Sequence, residues 1–193
     1  MRFREYGLCV ATIEPRKNIV GLLAAYRLLP DTLRRRFPLV LVGDRGWHNE
    51  EILGDIERAT REGWLRYLGY VGEGDLPLLF SGARMFVFPS FYEGLGLPVL
   101  EAMASGLPIV CSNRASLPEV TGEVALLVDP DDVVALGGAI ERALEDERWN
   151  RDVRPASLER ASQFVWDTTA KRTVDVYRLA RTSFSGTVAR PAA

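Results

Sequence analysis

Two glutamates flank a glycine-containing loop near the middle of the chain, and their spacing limits the chemistry they can share. Glu93 directly precedes Gly94, and Glu101 lies eight positions after Glu93. On one straight helix that separation is about 12 Å, too far for two carboxyl groups to share a proton. Because Glu93 belongs to the loop and Glu101 to the segment after it, both can still face one ligand from different sides.

The loop between these glutamates has the composition of an anion-binding turn. The stretch from Met85 to Ser112 reads MFVFPSFYEGLGLPVLEAMASGLPIVCS. It predicts a buried strand ended by Pro89, a glycine loop, a helix ended by Gly106 and a second strand. Glycines let a ligand approach the backbone, and a helix start offers free N–H groups and a positive dipole end. The sequence therefore predicts an anion site, with phosphate as the usual anion.

Two adjacent cations, Arg16 and Lys17, stand in the polar segment IEPRKN near the start of the chain. Positive charges fixed there could neutralise a pyrophosphate and stabilise the charge that builds on it when it leaves. The aspartates at 129, 131 and 132 are typical of a turn and a helix cap. We therefore expect no metal site and no cofactor.

Composition restricts the class of protein. The chain has 193 residues, 47% hydrophobic and 26% charged, with a formal net charge of −2. This suits a globular domain and gives no whole-chain attraction to nucleic acid. The sequence lacks the ~18 consecutive apolar residues of a spanning helix and an apolar signal-peptide core, so we expect a cytoplasmic protein, membrane-peripheral at most in full-length form. Cys9 and Cys111 lie in apolar runs and are expected to be reduced core residues.

Apolar strand-like runs alternate with segments of helical spacing along the chain. This rhythm predicts an α/β fold with a doubly wound, mostly parallel sheet, whose ligands bind beyond the carboxyl ends of the strands. A single domain is expected over residues 1–181 and a disordered tail over 182–193. Strands are predicted over 6–12, 37–43, 65–70, 85–88, 108–112 and 125–129. Helices are predicted over 19–29 with Asn18 as the cap, 50–61, from 75, 98–106, briefly after 116, from a cap at Asp131 to 144, around 148, 157–163 and 168–181.

The motif EGLGLPVLEAMASG resembles the two-glutamate signature of retaining GT-B glycosyltransferases of family 4, also called glycosyltransferase group 1, in their C-terminal donor-binding domain. The segments EPRKN, LRYLGYVGEGDLPLLFSGA, SNRASLPEV and FVWDTTA are also similar to that family. The resemblance implies a Rossmann-like domain that binds a nucleoside diphosphate sugar, either GDP-mannose or a UDP-sugar, for metal-independent transfer. It also implies an N-terminal acceptor-binding domain that this chain lacks, so the isolated domain is expected to be inactive. The EPRKN segment favours a mannosyltransferase.

The same resemblance assigns roles to individual residues. Glu101 would accept hydrogen bonds from the ribose hydroxyls, and Glu93 would contact the donor sugar near the reacting carbon. Lys17 matches the family's phosphate-binding lysine, whereas Ala11 and Thr12 stand where the family commonly has Gly-Arg, so Arg16 is expected to replace that arginine. The sugar hydroxyls and the distal phosphate would be held by the backbone amides of Gly94, Leu95, Gly96 and Leu97. The base would be contacted by a second loop, through Tyr70 and Val71.

Other classes of function stay open from the sequence. A module that binds nucleotide sugar without catalysis would keep the same residues. An NAD-type oxidoreductase is the weaker alternative, because Gly94, Gly96 and Val99 form a defective G-x-G-x-x-G in which the third position is too large. The C-terminal segment of that glycosyltransferase family crosses back onto the first domain, so the resemblance also implies that Trp166, Val174 and Tyr177 expose apolar surface here, and such surface favours a weak dimer.

Overall fold

A six-stranded parallel sheet forms the centre of the molecule. The computed structural model describes residues 3–184. The strand order is β3-β2-β1-β4-β5-β6, and every neighbouring pair is parallel. This confirms the predicted α/β class with a doubly wound sheet. The strands are β1 Gly7–Val10, β2 Leu39–Val42, β3 Leu65–Tyr67, β4 Met85–Phe88, β5 Ile109–Ser112 and β6 Ala125–Val128.

Helices connect successive strands and cover the faces of the sheet. Each parallel pairing needs such a crossover, because a short turn cannot bring the chain back to the same end. A 3-10 turn over Pro15–Lys17 precedes the first helix. The helices are α1 Ile19–Leu28, α2 Asp31–Arg36, α3 Glu50–Arg61, α4 Leu76–Gly82, α5 Leu97–Ala104, α6 Leu117–Thr121, α7 Val133–Glu145, α8 Glu147–Ser162 and α9 Trp166–Phe184.

The central strands are apolar on both sides because helices cover both faces. All residues of β2, β4 and β5 are buried, whereas edge strand β6 is partly open. Cys9 and Cys111 are free and buried within this core, as predicted. Burial raises the pKa of each thiol to about 12, so neither is a reactive thiolate at neutral pH.

Several local features differ from the sequence-based expectations. Helix α2 was not predicted, because DTLRRR is short and has one buried apolar residue, Leu33. The cap of α7 is Asp132, whose side chain accepts a hydrogen bond from the amide of Ala135 at 2.8 Å, and not Asp131. Asp131 instead pairs with Arg114 at 2.6 Å, which explains why its neighbour takes the capping position. Helix α8 is continuous from Glu147 to Ser162, whereas the sequence predicted two separate helical segments, around 148 and over 157–163.

The chain divides into two compact units. Residues up to Ala161 form one unit with the whole sheet, and residues from Ser162 form the second, which includes α9. Helix α9 extends past the predicted domain end at residue 181, so Thr182 is helical. The rest of the predicted tail, residues 185–193, lies outside the described residues. Within residues 3–184, no helix combines the length and the apolar character needed to span a membrane.

Candidate functional site

The strand order reverses between β1 and β4, and this places two loops side by side. β1 pairs with β2 on one side and β4 on the other, so the chain leaves β1 and β4 at adjacent points of the carboxyl edge. The amide of Phe91 donates to the carbonyl of Arg16 at 2.9 Å, and the Arg16 guanidinium donates to the carbonyl of Tyr92 at 2.8 Å. The loops after β1 and β4 are therefore held together at the position where doubly wound folds bind ligands.

An ion cluster joins the predicted charged residues of these two loops. Lys17 Nζ lies 2.6 Å from Glu93 Oε1, and Arg16 Nη1 lies 3.0 Å from Glu93 Oε2. Arg16 Nη2 also lies 2.6 Å from Oε1 of Glu14. The side chains of Lys17 and Glu93 are only 11% and 10% exposed, so their interaction is shielded from water. The structure thus brings together Arg16, Lys17 and Glu93.

Glu14 was not identified from the sequence, although it is almost fully buried and orients Arg16. Its position two residues before Arg16 in IEPRKN is a signal that could have indicated an acid–base pair. A buried carboxylate needs a partner, and the guanidinium supplies one. Arg16 is therefore fixed on both sides, by Glu14 and by Glu93.

The charge state of Glu93 follows from its neighbours. Burial by itself raises the pKa of this carboxyl group, but the hydrogen bond from Lys17 and the charges of Lys17 and Arg16 outweigh it. The net pKa lies below the ordinary value for glutamate. Glu93 is therefore a carboxylate at neutral pH and can stabilise positive charge, but it has no proton to donate.

The two glycines of the loop have different structural roles. Gly96 precedes α5 with a φ of +85°, and a Cβ there would lie 2.7 Å from Leu117 Cδ2. A Cβ at Gly94 would meet no atom within 4 Å. Gly96 is thus required by the backbone turn and by packing, whereas Gly94 borders open space. Within residues 3–184, the amides of 94–97 donate no hydrogen bond to another backbone group, so a ligand can accept from them.

A cleft of about 450 Å³ at the carboxyl edge contains several of the predicted residues. Lys17, Tyr70 and Val71 line it together, although they come from different loops. Thr12 and Asp44 also line the cleft, and only Thr12 had been considered from the sequence. Because Thr12 is neutral, the ammonium of Lys17 is the positive charge that this cleft presents. Pro98, from the first turn of α5, closes one wall.

Glu101 lines a second cleft, of about 470 Å³, and Leu76 lines both clefts. Burial raises the pKa of the Glu101 carboxyl group. In the part of the chain that the structure describes, its side chain makes no hydrogen bond or ion pair. Glu101 therefore differs from Glu93: its oxygens are free to accept hydrogen bonds from a ligand, whereas those of Glu93 are already bound by cations.

The family model described as "Glycosyl transferases group 1" matches residues 4–160. The chain belongs to this family. This group 1 domain is 50% identical over 179 residues to O-antigen chain mannosyltransferase B of Escherichia coli, a match that covers 93% of the chain and 47% of the relative. It is 39% identical over 173 residues to the serotype-specific mannosyltransferase WbdA of Escherichia coli, with 89% of the chain and 21% of the relative covered.

Solved structures agree with the fold and the family. Sucrose-phosphate synthase from Thermosynechococcus elongatus superimposes with a TM-score of 0.79 and 30% identity, over 93% of this chain and 46% of that protein. The α,α-trehalose 6-phosphate synthase of Burkholderia multivorans gives a TM-score of 0.82 at 21% identity, which shows the fold alone. The chain spans about half the length of the first curated relative and about a fifth of the second.

Proposed function

We propose that this chain is the donor-binding domain of a retaining glycosyltransferase, and that it binds a nucleoside diphosphate sugar at the carboxyl edge of the sheet. The observation that carries the proposal is the position of Lys17, which lines a cleft with Tyr70 and Val71 while it holds Glu93. The cleft has room for a base, Lys17 beside it can bind a pyrophosphate, and Glu93 beyond Lys17 can contact a sugar. This order matches that of the groups in a nucleoside diphosphate sugar. The mannosyltransferase relatives favour GDP-mannose as the donor, with a UDP-sugar as the alternative.

Each charged residue has a defined task in the proposed reaction. When the bond between the anomeric carbon and the phosphate oxygen breaks, its electron pair moves to the pyrophosphate. Lys17, together with Arg16 on the other oxygen of Glu93, stabilises that negative charge, and fixed cations can do this without a metal ion. The Glu93 carboxylate stabilises the positive charge that develops on the sugar. Glu101 accepts hydrogen bonds from the two ribose hydroxyls, as an ionised carboxylate can.

Electrostatics also selects the cleft in which the phosphates would lie. A larger cavity of about 680 Å³ lies at the same edge, lined by Pro15 and Phe91. Its charged lining is acidic, from Glu50, Glu51 and Asp131. These three carboxylates would repel a pyrophosphate, whereas the smaller cleft has the ammonium of Lys17 as well as one carboxylate, that of Asp44, so it is the better phosphate site.

Direct titration tests the proposal. Isothermal titration calorimetry of the chain against UDP, GDP, ADP and their sugars, with and without EDTA, is expected to show binding of one nucleotide that EDTA does not weaken. If the folded chain binds none of them at millimolar concentration, the donor site is wrong. Affinity that depends on a divalent ion would contradict the metal-independent mechanism.

Binding alone does not separate a catalytic domain from a module that only binds the donor. We propose that the full-length protein carries an N-terminal acceptor-binding domain, since the chain spans only about half the length of the first curated relative. A transfer assay of the full-length protein shows whether it is catalytic. NMR of the product then shows whether the anomeric configuration of the donor sugar is retained. Inversion would contradict the retaining mechanism, and binding without transfer would favour the non-catalytic module.

A further inference from the structure

A cavity at the opposite edge of the sheet has no part in the proposed reaction. Its volume is about 480 Å³, and it includes Arg84 and Pro108, which directly precede β4 and β5. It therefore lies at the amino edge, about 13 Å or more from the carboxyl edge, given strands of four residues. Residues of α8 form its other wall. A ligand here would not overlap a donor at the candidate site.

The lining of this cavity, which we call the arginine cavity, is strongly basic. Its charged residues are one carboxylate and four guanidinium groups, Glu147 against Arg4, Arg84, Arg151 and Arg154. The whole chain, in contrast, has a net charge of −2. The local excess of positive charge therefore indicates an anionic ligand.

Two of the arginines are held in place by other contacts. The Arg84 side chain is 11% exposed, and its Nε donates to the carbonyl of Leu144 at 2.9 Å. Arg154 packs over Gly106, where an added Cβ would lie 3.2 Å from Arg154 Cγ. Prior fixation lowers the entropic cost of binding, so these guanidinium groups are suited to hold a phosphate.

Glu147, the carboxylate of the cavity lining, is paired with Arg84 and would compete with an anionic ligand for it. Glu147 binds Arg84 at 2.8 Å, but its side chain is 75% exposed. The pair is bidentate, with a second contact at 3.3 Å, and only its carboxylate side is open to water. A phosphate also accepts from both terminal nitrogens of a guanidinium group, so it can compete with the Glu147 carboxylate for Arg84. Glu147 thus competes with a ligand and does not block it permanently.

The inner wall also offers an unused hydrogen-bond acceptor. Asn150 is 8% exposed, and its Nδ2 donates to the carbonyl of Ala143 at 2.9 Å. Among residues 3–184, its Oδ1 is buried and has no hydrogen-bond partner. A buried acceptor is stabilised when a donor reaches it, and a ligand hydroxyl is such a donor.

We propose that the arginine cavity binds a phosphate monoester that also carries hydroxyl groups. Guanidinium groups recognise phosphate oxygens through paired hydrogen bonds, and the hydroxyl groups match Asn150. The volume is sufficient for one sugar-sized phosphate ester. This chemistry occurs in free sugar phosphates and in lipid headgroups. The inference does not depend on the proposed function, because it concerns other residues.

Two probes distinguish the sources of the ligand. Glucose 6-phosphate in calorimetric titration represents the free ester, and vesicles of phosphatidylcholine with or without phosphatidylinositol 4-phosphate, whose headgroup also has hydroxyl groups, represent the lipid in sedimentation. Binding of either probe supports the site and shows whether its ligand is a free phosphate ester or a lipid headgroup. If the folded chain binds neither probe at millimolar phosphate, or binds sulfate as well as the ester, the proposal is overturned.

Variants on α8 test the assignment of the cavity itself. The double substitution Arg151→Gln and Arg154→Gln is expected to weaken binding at least tenfold, whereas Arg148→Gln, on the same helix with an 87% exposed side chain, should leave it unchanged. Glu147→Gln removes the competing carboxylate and should strengthen binding a few-fold. Equal affinity in the double variant, or weaker binding in Glu147→Gln, would place the ligand elsewhere. GDP and UDP titrations of the same variants should match the unmodified chain, so failure of this site is separable from failure of the donor site.

Discussion

Each oxygen of the Glu93 carboxylate binds a different cation, so this one carboxylate holds Lys17 and Arg16 together, which a single ion pair would not do. Both cations contact the Glu93 carboxylate before any phosphate arrives, although the Lys17 side chain is only 11% exposed and that of Arg16 is 38% exposed. Lys17 Nζ has three N–H donors, and the bond to Glu93 uses one of them. A pyrophosphate can therefore join the cluster without displacing Glu93.

Lys17→Ala tests the leaving-group role at the scale of one residue. It removes the charge next to the pyrophosphate, and loss of such transition-state stabilisation typically lowers turnover by about 10²–10³-fold. The measurement is the rate of sugar transfer by the full-length protein at saturating donor. Lys171→Ala, an exposed lysine of α9, is the matched control and should retain the original rate. A Lys17→Ala enzyme with unreduced turnover would remove Lys17 from the mechanism.

Glu101→Ala tests the ribose contact. The change deletes acceptors that no protein group uses among the described residues, so it should weaken nucleotide binding by about 1–3 kcal/mol and leave stability almost unchanged. Calorimetry of the isolated chain measures the first quantity and urea unfolding the second. Glu57→Ala, at an exposed position of α3, is the control. Unchanged nucleotide affinity would mean that the ribose lies elsewhere.

The pKa of Glu93 predicts how acid affects the cluster. Because the folded-state pKa is lowered, ionised Glu93 contributes stability above the unfolded-state pKa of about 4.3, and this contribution is lost as pH falls through the lower folded value. Urea unfolding should therefore show Glu93→Gln less stable than the original chain at pH 7, with a difference that shrinks below about pH 4. A difference that stays constant down to pH 3 would contradict the lowered pKa.

At the scale of elements, the sequence is most informative where a local rule and the tertiary structure agree. The alternation of apolar runs and helical segments was sufficient to predict the strands, because buried parallel strands must be apolar on both sides. Asn18 was correctly predicted to cap α1, and its side chain accepts from Gly21 N at 3.2 Å. The cap of α7 was misplaced because two adjacent aspartates are equivalent in sequence, and only the distant Arg114 separates their roles.

The candidate site could also be predicted only in part, because some of its contacts depend on residues that are distant in sequence. Arg16, Lys17 and Glu93 could be chosen from motifs, but their direct contact depends on the adjacency of β1 and β4, which alternation alone does not specify. Glu14 was missed because a glutamate in a polar loop is typically solvated, and its burial is visible only in three dimensions. The contacts that Tyr70 and Val71 make with a base stay predictions.

The loop before α5 predicts opposite effects for its two glycines. Gly96→Ala forces a φ of +85° on alanine and drives its Cβ against Leu117, so the free energy of unfolding should fall by about 2 kcal/mol. Gly94→Ala places a methyl group in open space and should change stability by less than about 0.5 kcal/mol. Its effect should instead appear as weaker binding of the nucleotide sugar, because the methyl group occupies the approach to the loop backbone.

Urea unfolding and calorimetry of both glycine variants provide the comparison, and each variant is the control for the other. If Gly94→Ala unfolds more easily than Gly96→Ala, the structural assignment of the two positions is wrong. If Gly94→Ala binds the nucleotide sugar as tightly as the original chain does, the sugar does not approach the backbone at this point.

For the whole molecule, the carboxyl edge exposes apolar side chains around the proposed donor site. Tyr70 is 72% exposed, Tyr92 65% and Leu97 50%. Such a surface is typical of a face that another protein segment covers. Since the chain spans about half of its first curated relative, an acceptor-binding domain of the same protein is the segment that we propose for this face. The predicted weak dimer through α9 is a separate hypothesis.

The completed enzyme should therefore differ from the isolated chain in transfer more than in donor binding. The contacts that we propose to base, ribose and phosphate all involve residues of this chain, so the nucleotide alone should bind both forms with affinities within about tenfold, or about 1.4 kcal/mol. Transfer needs an acceptor held against the sugar and water kept out, and we expect the second domain to be required for both. Calorimetry with the nucleotide and a radiolabelled-sugar transfer assay, each run on the chain and on the full-length protein, measure the two quantities. Transfer by the isolated chain at the full-length rate would show that the second domain is not needed, and nucleotide binding seen only in the full-length protein would show that the donor site described above is incomplete.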